Sequence, residues 1–189
     1  VSKMIQKCNA TDIVNDNNIT TKTAMRTIYE RVIIVDNDEF VSELFNDKNN
    51  PNGNKLRTYR QYKEKVETEK YLKLQLPRSV QRVVALFRSG SLPLAIETGR
   101  YARPQIPVNE RSCKFCPNDV LENEKHFLMN CTMYDDLRYN LFSRAKNFIE
   151  NFDTLDIDSQ FISLMKCKEI QSSLSYALFN FYQRRKKFI

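Results

Sequence analysis

Four residues in the middle of the chain have the types and the spacing of a metal site. Cys113 and Cys116 are separated by two residues, His126 follows after nine more, and Cys131 after another four. Two thiolates at the first of these spacings can bind one ion from a tight turn, and three thiolates with one imidazole complete the tetrahedral shell of a structural zinc site. The pattern therefore predicts one structural Zn²⁺ ion, with no coordination position left open for a substrate water.

Two other interpretations of these residues compete with zinc. Buried cysteines often act as small hydrophobic residues, and a CxxC pair can be a redox centre. However, three cysteines and the only histidine of the chain fall within 19 positions, and no strand with an active-site turn precedes the CxxC. The grouping favours zinc, and we interpret Cys8 and Cys167, which lie outside it, as ordinary thiols.

The charge of the chain is positive and unevenly distributed. Lys and Arg total 30 against 23 Asp and Glu, and residues 54–112 alone hold 13 basic and 5 acidic side chains. Such a surplus suits polyanions, either nucleic acid or an anionic membrane surface. The competing interpretation, which weighs about as much for any basic domain, is that these side chains are only solvated helix faces.

The start of the chain carries no targeting or membrane-spanning segment. No apolar run is long enough to cross a bilayer, and the polar residues 1–9 lack the apolar stretch of a secretory signal. We expect an intracellular protein without a membrane partner. Because translation normally begins at Met, Val1 suggests a fragment of something longer.

The spacing of apolar residues predicts helices in the N-terminal part, residues 1–45. Residues 20–45 are expected to form two helices, the second capped by Asp36, after about a dozen loosely ordered residues. Residues 46–54, rich in Asn and containing Pro51 and Gly53, are typical of an exposed linker.

Residues 55–189 are predicted to form a helical zinc-binding domain. Helical periodicity is expected at 55–66, from Pro77 to Gly90, from Thr132 to Ile149, at 158–165 and at 169–182. Segment 98–112 is expected to be irregular and basic, and a short helix from Glu124 to Asn130 would bring His126 and Cys131 together. The predicted fold is mainly α, with a small CCHC zinc knuckle at residues 111–131 in a loop-rich segment.

Several stretches resemble one known family. They are KLRTYRQY at 55–62, LFRSGSLPLAIETGR at 86–100, and RSCKFCPNDVLENEKHFLMNC at 111–131 followed by Tyr134, Leu137 and Arg138. Together, over about residues 40–142, they look like the C-terminal region of animal non-LTR retrotransposon reverse transcriptases, which contains a reverse-transcriptase zinc-binding domain. Glu122 or Glu124 matches the acidic residue usual before the ligand histidine.

The resemblance implies a role for each group of residues. Cys113, Cys116, His126 and Cys131 carry over as zinc ligands, and RNA or DNA would be held for a polymerase domain upstream in the same polyprotein. Arginines would contact the nucleic-acid backbone, because guanidinium pairs bidentately with phosphate. The expected backbone contacts are Arg57, Arg60, Arg78, Arg82, Arg88, Arg100, Arg103 and Arg111. Tyr101 would stack on bases, whereas Tyr59 and Tyr62 are better explained by core packing.

Three functions follow as alternatives. The first is a non-catalytic, zinc-stabilised nucleic-acid-binding module, which would act in the nucleus. The second is a protein-interaction adaptor or transposon relic that zinc only shapes, and the third is a metal-dependent nuclease. No YxDD polymerase signature occurs, and helix capping accounts for Asp153, Asp156 and Asp158 more simply than a metal site does. The basic tail of Arg184, Arg185, Lys186 and Lys187 could act as a nuclear signal or a phosphate clamp, although such tetrads are also common by chance.

Overall fold

The computed structural model describes residues 2–16, 18–46, 54–117 and 119–188. The predicted linker at 46–54 lies outside these residues except for its two ends. The chain divides into a smaller unit, residues 1–46 with 64–67, and a larger unit, residues 47–63 with 68–189. None of the described helices is both long and apolar enough to cross a lipid bilayer.

The smaller unit contains three helices, α1 (Ser2–Lys7), α2 (Thr11–Val14) and α3 (Thr21–Leu44). Thr20 caps α3 by accepting a hydrogen bond from the backbone N–H of Thr23 at 3.3 Å. One small core is formed by Cys8, Ala10, Ile13 of α2 and Ile28 of α3, and Ile5 of α1 packs against it.

Two predictions for this unit are wrong. The first dozen residues are ordered into α1 and α2, and residues 21–44 form one helix instead of two. Asp36 does not cap a second helix, because its carboxylate accepts a hydrogen bond from the Lys7 ammonium at 2.9 Å. With no Gly or Pro between residues 21 and 44, nothing interrupts the backbone hydrogen bonds of α3.

The described part of the larger unit contains five longer helices, and helical residues make up 62% of all the residues that the structure describes. These helices are α4 (Arg78–Arg88), α5 (Ala95–Tyr101), α6 (Asp135–Ala145), α7 (Ile157–Lys166) and α8 (Gln171–Lys186). Across the described ranges no β-strand forms, and only one isolated bridge pairs Ser112 with Leu121. The predicted mainly-α fold is confirmed.

Helix α4 follows its predicted pattern. It begins after Pro77, and Val80, Val83, Val84 and Phe87 are its buried apolar side chains. The chain then turns at Gly90, whose φ of 66° suits glycine and whose Cβ, if present, would lie 2.0 Å from the Lys55 carbonyl oxygen. Only glycine fits this turn.

Two other elements differ from their predictions. Residues 55–66 form no long helix, only a 3₁₀ turn at Tyr59–Gln61. Segment 98–112 is not wholly irregular, because α5 covers its beginning and a second 3₁₀ turn covers Val108–Glu110.

Helix α8 is central to the larger unit, where it packs against α4, α6 and α7. Its Phe181 ring stacks on Tyr134, with centroids 4.8 Å apart, and Phe127 meets both rings edge-on. Phe127 lies within the segment that carries His126 and Cys131, and Tyr134 follows this segment closely. The aromatic cluster therefore packs the metal-ligand segment against α8.

Candidate metal centre

The first two ligands lie on a loop closed by backbone pairing. The Cys113 N–H donates to Val120 at 2.8 Å, and the Glu122 N–H donates to Arg111 at 2.9 Å. The loop between these pairs holds Cys113 and Cys116, so their thiols reach the same side of a tight turn.

The other two ligands lie at the two ends of a short helical turn. Asn123 starts this turn, since its side chain accepts a hydrogen bond from the His126 N–H at 2.8 Å. The turn widens to π-helical geometry over His126–Asn130, and the Cys131 N–H donates to the His126 carbonyl at 2.8 Å. This i→i+5 hydrogen bond of the π turn brings residues 126 and 131 close together.

The four ligand atoms lie within 4.8 Å of one another, so these residues are close enough to bind one metal ion. Cys131 Sγ lies 3.5 Å from Cys116 Sγ and 3.8 Å from Cys113 Sγ, and Cys116 Sγ lies 3.5 Å from His126 Nε2. A tetrahedral zinc site has edges of about 3.8 Å between sulfurs and about 3.5 Å between sulfur and nitrogen. The donor set and its spacing therefore fit zinc, and Nε2 is the nitrogen that faces the site.

Burial tunes the protonation of the ligands. It lowers the pKa of His126, which favours the neutral imidazole that a metal requires, and it raises the pKa of Cys113 and Cys131. Burial also acts to raise the pKa of Cys116, but hydrogen bonds from Thr132 and Cys131 outweigh it, so the pKa of this thiol is lowered. Cys116 is accordingly the thiol most ready to lose its proton.

A buried carboxylate, Glu122, lies beside the ligands. Its side chain is 2% exposed, and its Oε1 lies 3.7 Å from Cys113 Sγ. It accepts hydrogen bonds from the Ala95 N–H at 2.6 Å and from Arg185 Nη2 at 2.9 Å, and Arg185 Nη1 also donates to it. Glu122 thus ties the metal-ligand loop to both α5 and α8.

Two arginines hold the backbone of this region. Arg138 donates to the carbonyls of Leu128 at 2.8 Å and Cys131 at 2.6 Å, and so holds the backbone at the end of the π turn. Arg111, which is 1% exposed, donates to the carbonyls of Ile96 and Ile106. Its side chain packs against Gly99, where a Cβ would approach within 2.7 Å.

Glu124, which is fully buried, makes a third ionic link. It accepts hydrogen bonds from Arg57 at 2.6 Å and from Thr58 at 3.1 Å. Burial raises the pKa of Glu124 although the Arg57 guanidinium opposes this shift. Both acidic residues noted before the ligand histidine therefore pair internally with arginines.

The predicted nucleic-acid contacts separate into two groups by their surroundings. Arg57, Arg88, Arg100 and Arg111 point into the protein: Arg88 donates to Glu69 at 2.6 Å and to Gln171 at 2.8 Å, and Arg100 pairs with Glu97 at 3.1 Å. A buried, paired guanidinium cannot reach a phosphate. The prediction that these four arginines contact the nucleic-acid backbone is therefore wrong, and their roles are structural. Tyr62, expected in the core, is buried there.

The remaining contacts lie at the surface. Arg78, Arg82 and Arg103 are exposed, Tyr101 is 66% exposed, and Arg60 is half-buried. Lys55 lies over the Tyr101 ring, 5.3 Å from its centroid. The exposed arginines and Tyr101 are therefore accessible to an extended ligand.

Two other groups of charged residues have partners within the fold. Asp156 caps α7, while Asp153 pairs with Lys146 and Asp158 with Lys125. Of all the residues described, only the Cys113, Cys116, His126 and Cys131 group brings enough metal-ligand side chains together. Two of the four residues in the predicted basic tail also have internal partners, since Arg184 pairs with Asp136 and Arg185 pairs with Glu122.

The sequence patterns did not reveal the importance of Arg138 and Arg185. Neither lies in the ligand motif: Arg138 acts on carbonyls 7 and 10 residues before it, and Arg185 acts on a carboxylate 63 residues before it. A carboxylate beside a ligand histidine was the available signal, since a buried acid requires a cationic partner.

Comparison of the chain with family models, with curated proteins and with solved structures finds no significant match.

Proposed function

We propose that this chain is a non-catalytic, zinc-stabilised nucleic-acid-binding module from the C-terminal part of a non-LTR retrotransposon reverse transcriptase. The supporting observation is a charge imbalance on the larger unit. In its described part, the exposed cations without an internal partner are Lys73, Arg78, Arg82, Arg103, Lys114, Arg144 and Lys187. In the same described part, the exposed carboxylates without an internal partner are only Glu110, Asp119 and Glu150.

Zinc has a structural role in this proposal. Three thiolates and one imidazole fill its coordination shell, so the ion would hold the loop of Cys113 and Cys116 against the turn of His126 and Cys131. The bound module would position template RNA or target DNA for a polymerase domain of the same polyprotein, in the nucleus.

The test is binding to labelled single-stranded RNA, single-stranded DNA and duplex DNA at a series of salt concentrations. We expect affinity to fall steeply with salt, because each neutralised phosphate releases counterions. Replacing Arg78 and Arg82 together by Gln should reduce the salt slope by roughly one to two. The matched control is Lys22→Gln with Arg26→Gln, a pair at the same spacing on exposed positions of α3. Absence of binding, or binding insensitive to salt, would refute the proposal.

One observation favours the alternative, a protein-interaction adaptor. Helix α3 exposes several large apolar side chains, among them Met25 at 64%, Tyr29 at 62% and Ile34 at 59%. Apolar surface on several faces of one helix is typical of a helix that a partner covers. A chain that binds no nucleic acid, but whose Tyr29→Ser or Ile34→Ser variant loses a protein complex, would support this alternative.

A further inference from the structure

Helices α6 and α8 pack side by side and leave a groove between them of about 350 Å³. Its floor is apolar, made by Leu137 and Leu141 of α6 and Ala177 of α8. The lining residues recur at intervals of three and four along each helix, so each set occupies one helix face.

The walls of the groove are polar and have no internal partners. In the described part of the chain, none of these side chains makes a hydrogen bond or an ion pair, whereas buried arginines of the larger unit, such as Arg88 and Arg185, are held by carboxylates. The six wall residues are Asn140, Arg144, Ser172, Ser173, Tyr176 and Asn180.

The charge of the groove has one sign. Arg144 is the one charged residue among its lining side chains, and no carboxylate lines it. Arg144 and Tyr176 are both exposed, Tyr176 by 43%. The groove therefore combines a free guanidinium, two side-chain amides, two serine hydroxyls and the accessible phenol ring of Tyr176.

We infer that this groove binds an unpaired stretch of nucleic acid, an inference that rests on the proposed function. Arg144 can pair bidentately with a phosphate, and the Tyr176 ring can stack on a base. The amides of Asn140 and Asn180 can both donate to and accept from base edges. A duplex keeps its bases stacked on each other, so the ligand that uses the ring is single-stranded RNA or DNA.

The test measures fluorescence anisotropy of labelled single-stranded RNA, single-stranded DNA and duplex DNA with the zinc-loaded full chain. We expect Tyr176→Ala to weaken single-strand binding roughly tenfold, and Tyr176→Phe to bind like wild type because the ring remains. The matched control is Tyr139→Ala, which removes an exposed tyrosine of α6 that does not line the groove. Arg144→Gln should lower the salt slope by roughly one.

The outcomes separate this inference from the proposed function. The inference is overturned if Tyr176→Ala binds no more weakly than Tyr139→Ala while the Arg78 and Arg82 variants lose affinity; the proposed function would then stand. If the wild-type chain binds none of the three nucleic acids, both fail. A larger loss on RNA than on DNA, or the reverse, supports the inference and identifies the natural strand.

Discussion

The zinc module, residues 111–131, buries a different kind of side chain from the helical core, which is formed by α4, α6, α7 and α8. In the helical core the most deeply buried side chains are apolar, such as Phe161, Leu164 and Leu178, each 0% exposed. In the zinc module they include Arg111, Glu122 and Glu124, at most 2% exposed. Burying charge costs free energy unless each group is paired, so the zinc module depends on its ionic partners and, under the proposed function, on a bound metal ion.

Those partners lie mostly outside the zinc module. Arg57 precedes it in sequence, while Arg138 belongs to α6 and Arg185 to α8. The apolar core needs only shape and volume from its neighbours, but the zinc module needs particular atoms at particular distances. We therefore expect the module to be more sensitive to substitution than the helical core. A substitution in one region should have little effect on the other.

The largest effect is expected for Cys116→Ser. Structural zinc contributes on the order of 10 kcal/mol to small zinc domains, so removal of one ligand should unfold residues 111–131. Zinc content measured by mass spectrometry should fall from one ion per chain, and amide hydrogen exchange in the module should become fast. Cys167→Ser, which changes a thiol outside the cluster, is the control. Retention of zinc and of thermal stability by Cys116→Ser would show that the module does not depend on the ion.

A smaller effect is expected for Phe161→Ala in the helical core. Removing a fully buried phenyl ring costs about 3–5 kcal/mol, through lost burial and the cavity left behind. Chemical denaturation should show this loss while the folded variant keeps its zinc, because all four ligand side chains are still present. Phe148→Ala, at a 50% exposed position, should change stability little. Zinc loss from folded Phe161→Ala would mean that the two regions are not energetically distinct.

A comparable or smaller effect is expected for Glu122→Gln. The amide can still accept from the Ala95 N–H but leaves the Arg185 charge buried and uncompensated, at a cost of about 3 kcal/mol. We expect weaker zinc retention against a chelator and faster hydrogen exchange near the end of α8. Adding Arg185→Met should recover much of the stability, since the unpaired charge is then gone. If Glu122→Gln matches wild type in both measurements, the pair does not couple the module to α8.

The two regions also differ in how far sequence predicts them. Ligand spacing is local information, and the helices α4, α7 and α8 follow from apolar periodicity within a few turns. Whether an arginine is buried and paired or exposed depends on a carboxylate far along the chain. Arg57 and Glu124 are 67 residues apart, and Arg185 and Glu122 are 63 residues apart. A count of charges cannot distinguish these buried arginines from the exposed Arg78, so the predicted binding surface contained both. Likewise, the partner of Asp36 is Lys7, 29 residues away, so local spacing indicated an N-cap where α3 runs on.

The smallest effect is expected for Asp156→Ala, which removes the N-cap of α7 without touching either core. The carboxylate accepts hydrogen bonds from the Ser159 hydroxyl at 2.6 Å and from the N–H groups of Asp158 and Ser159 at 2.9 and 3.0 Å. Loss of a cap should lower the melting temperature by about 2–4 °C at neutral pH, with zinc content unchanged.

The same cap has a pH dependence of known sign. The hydrogen bonds from Ser159 lower the pKa of Asp156 below its ordinary value of 3.8. The charged form therefore stabilises the fold above pH 3.8, and that contribution is lost as the pH falls through the lowered pKa. Asp156→Asn keeps a capping oxygen but does not titrate, so the advantage of wild type over this variant should shrink in acid. An advantage that is constant from neutral to strongly acidic pH would mean that the cap acts by geometry alone, without its charge.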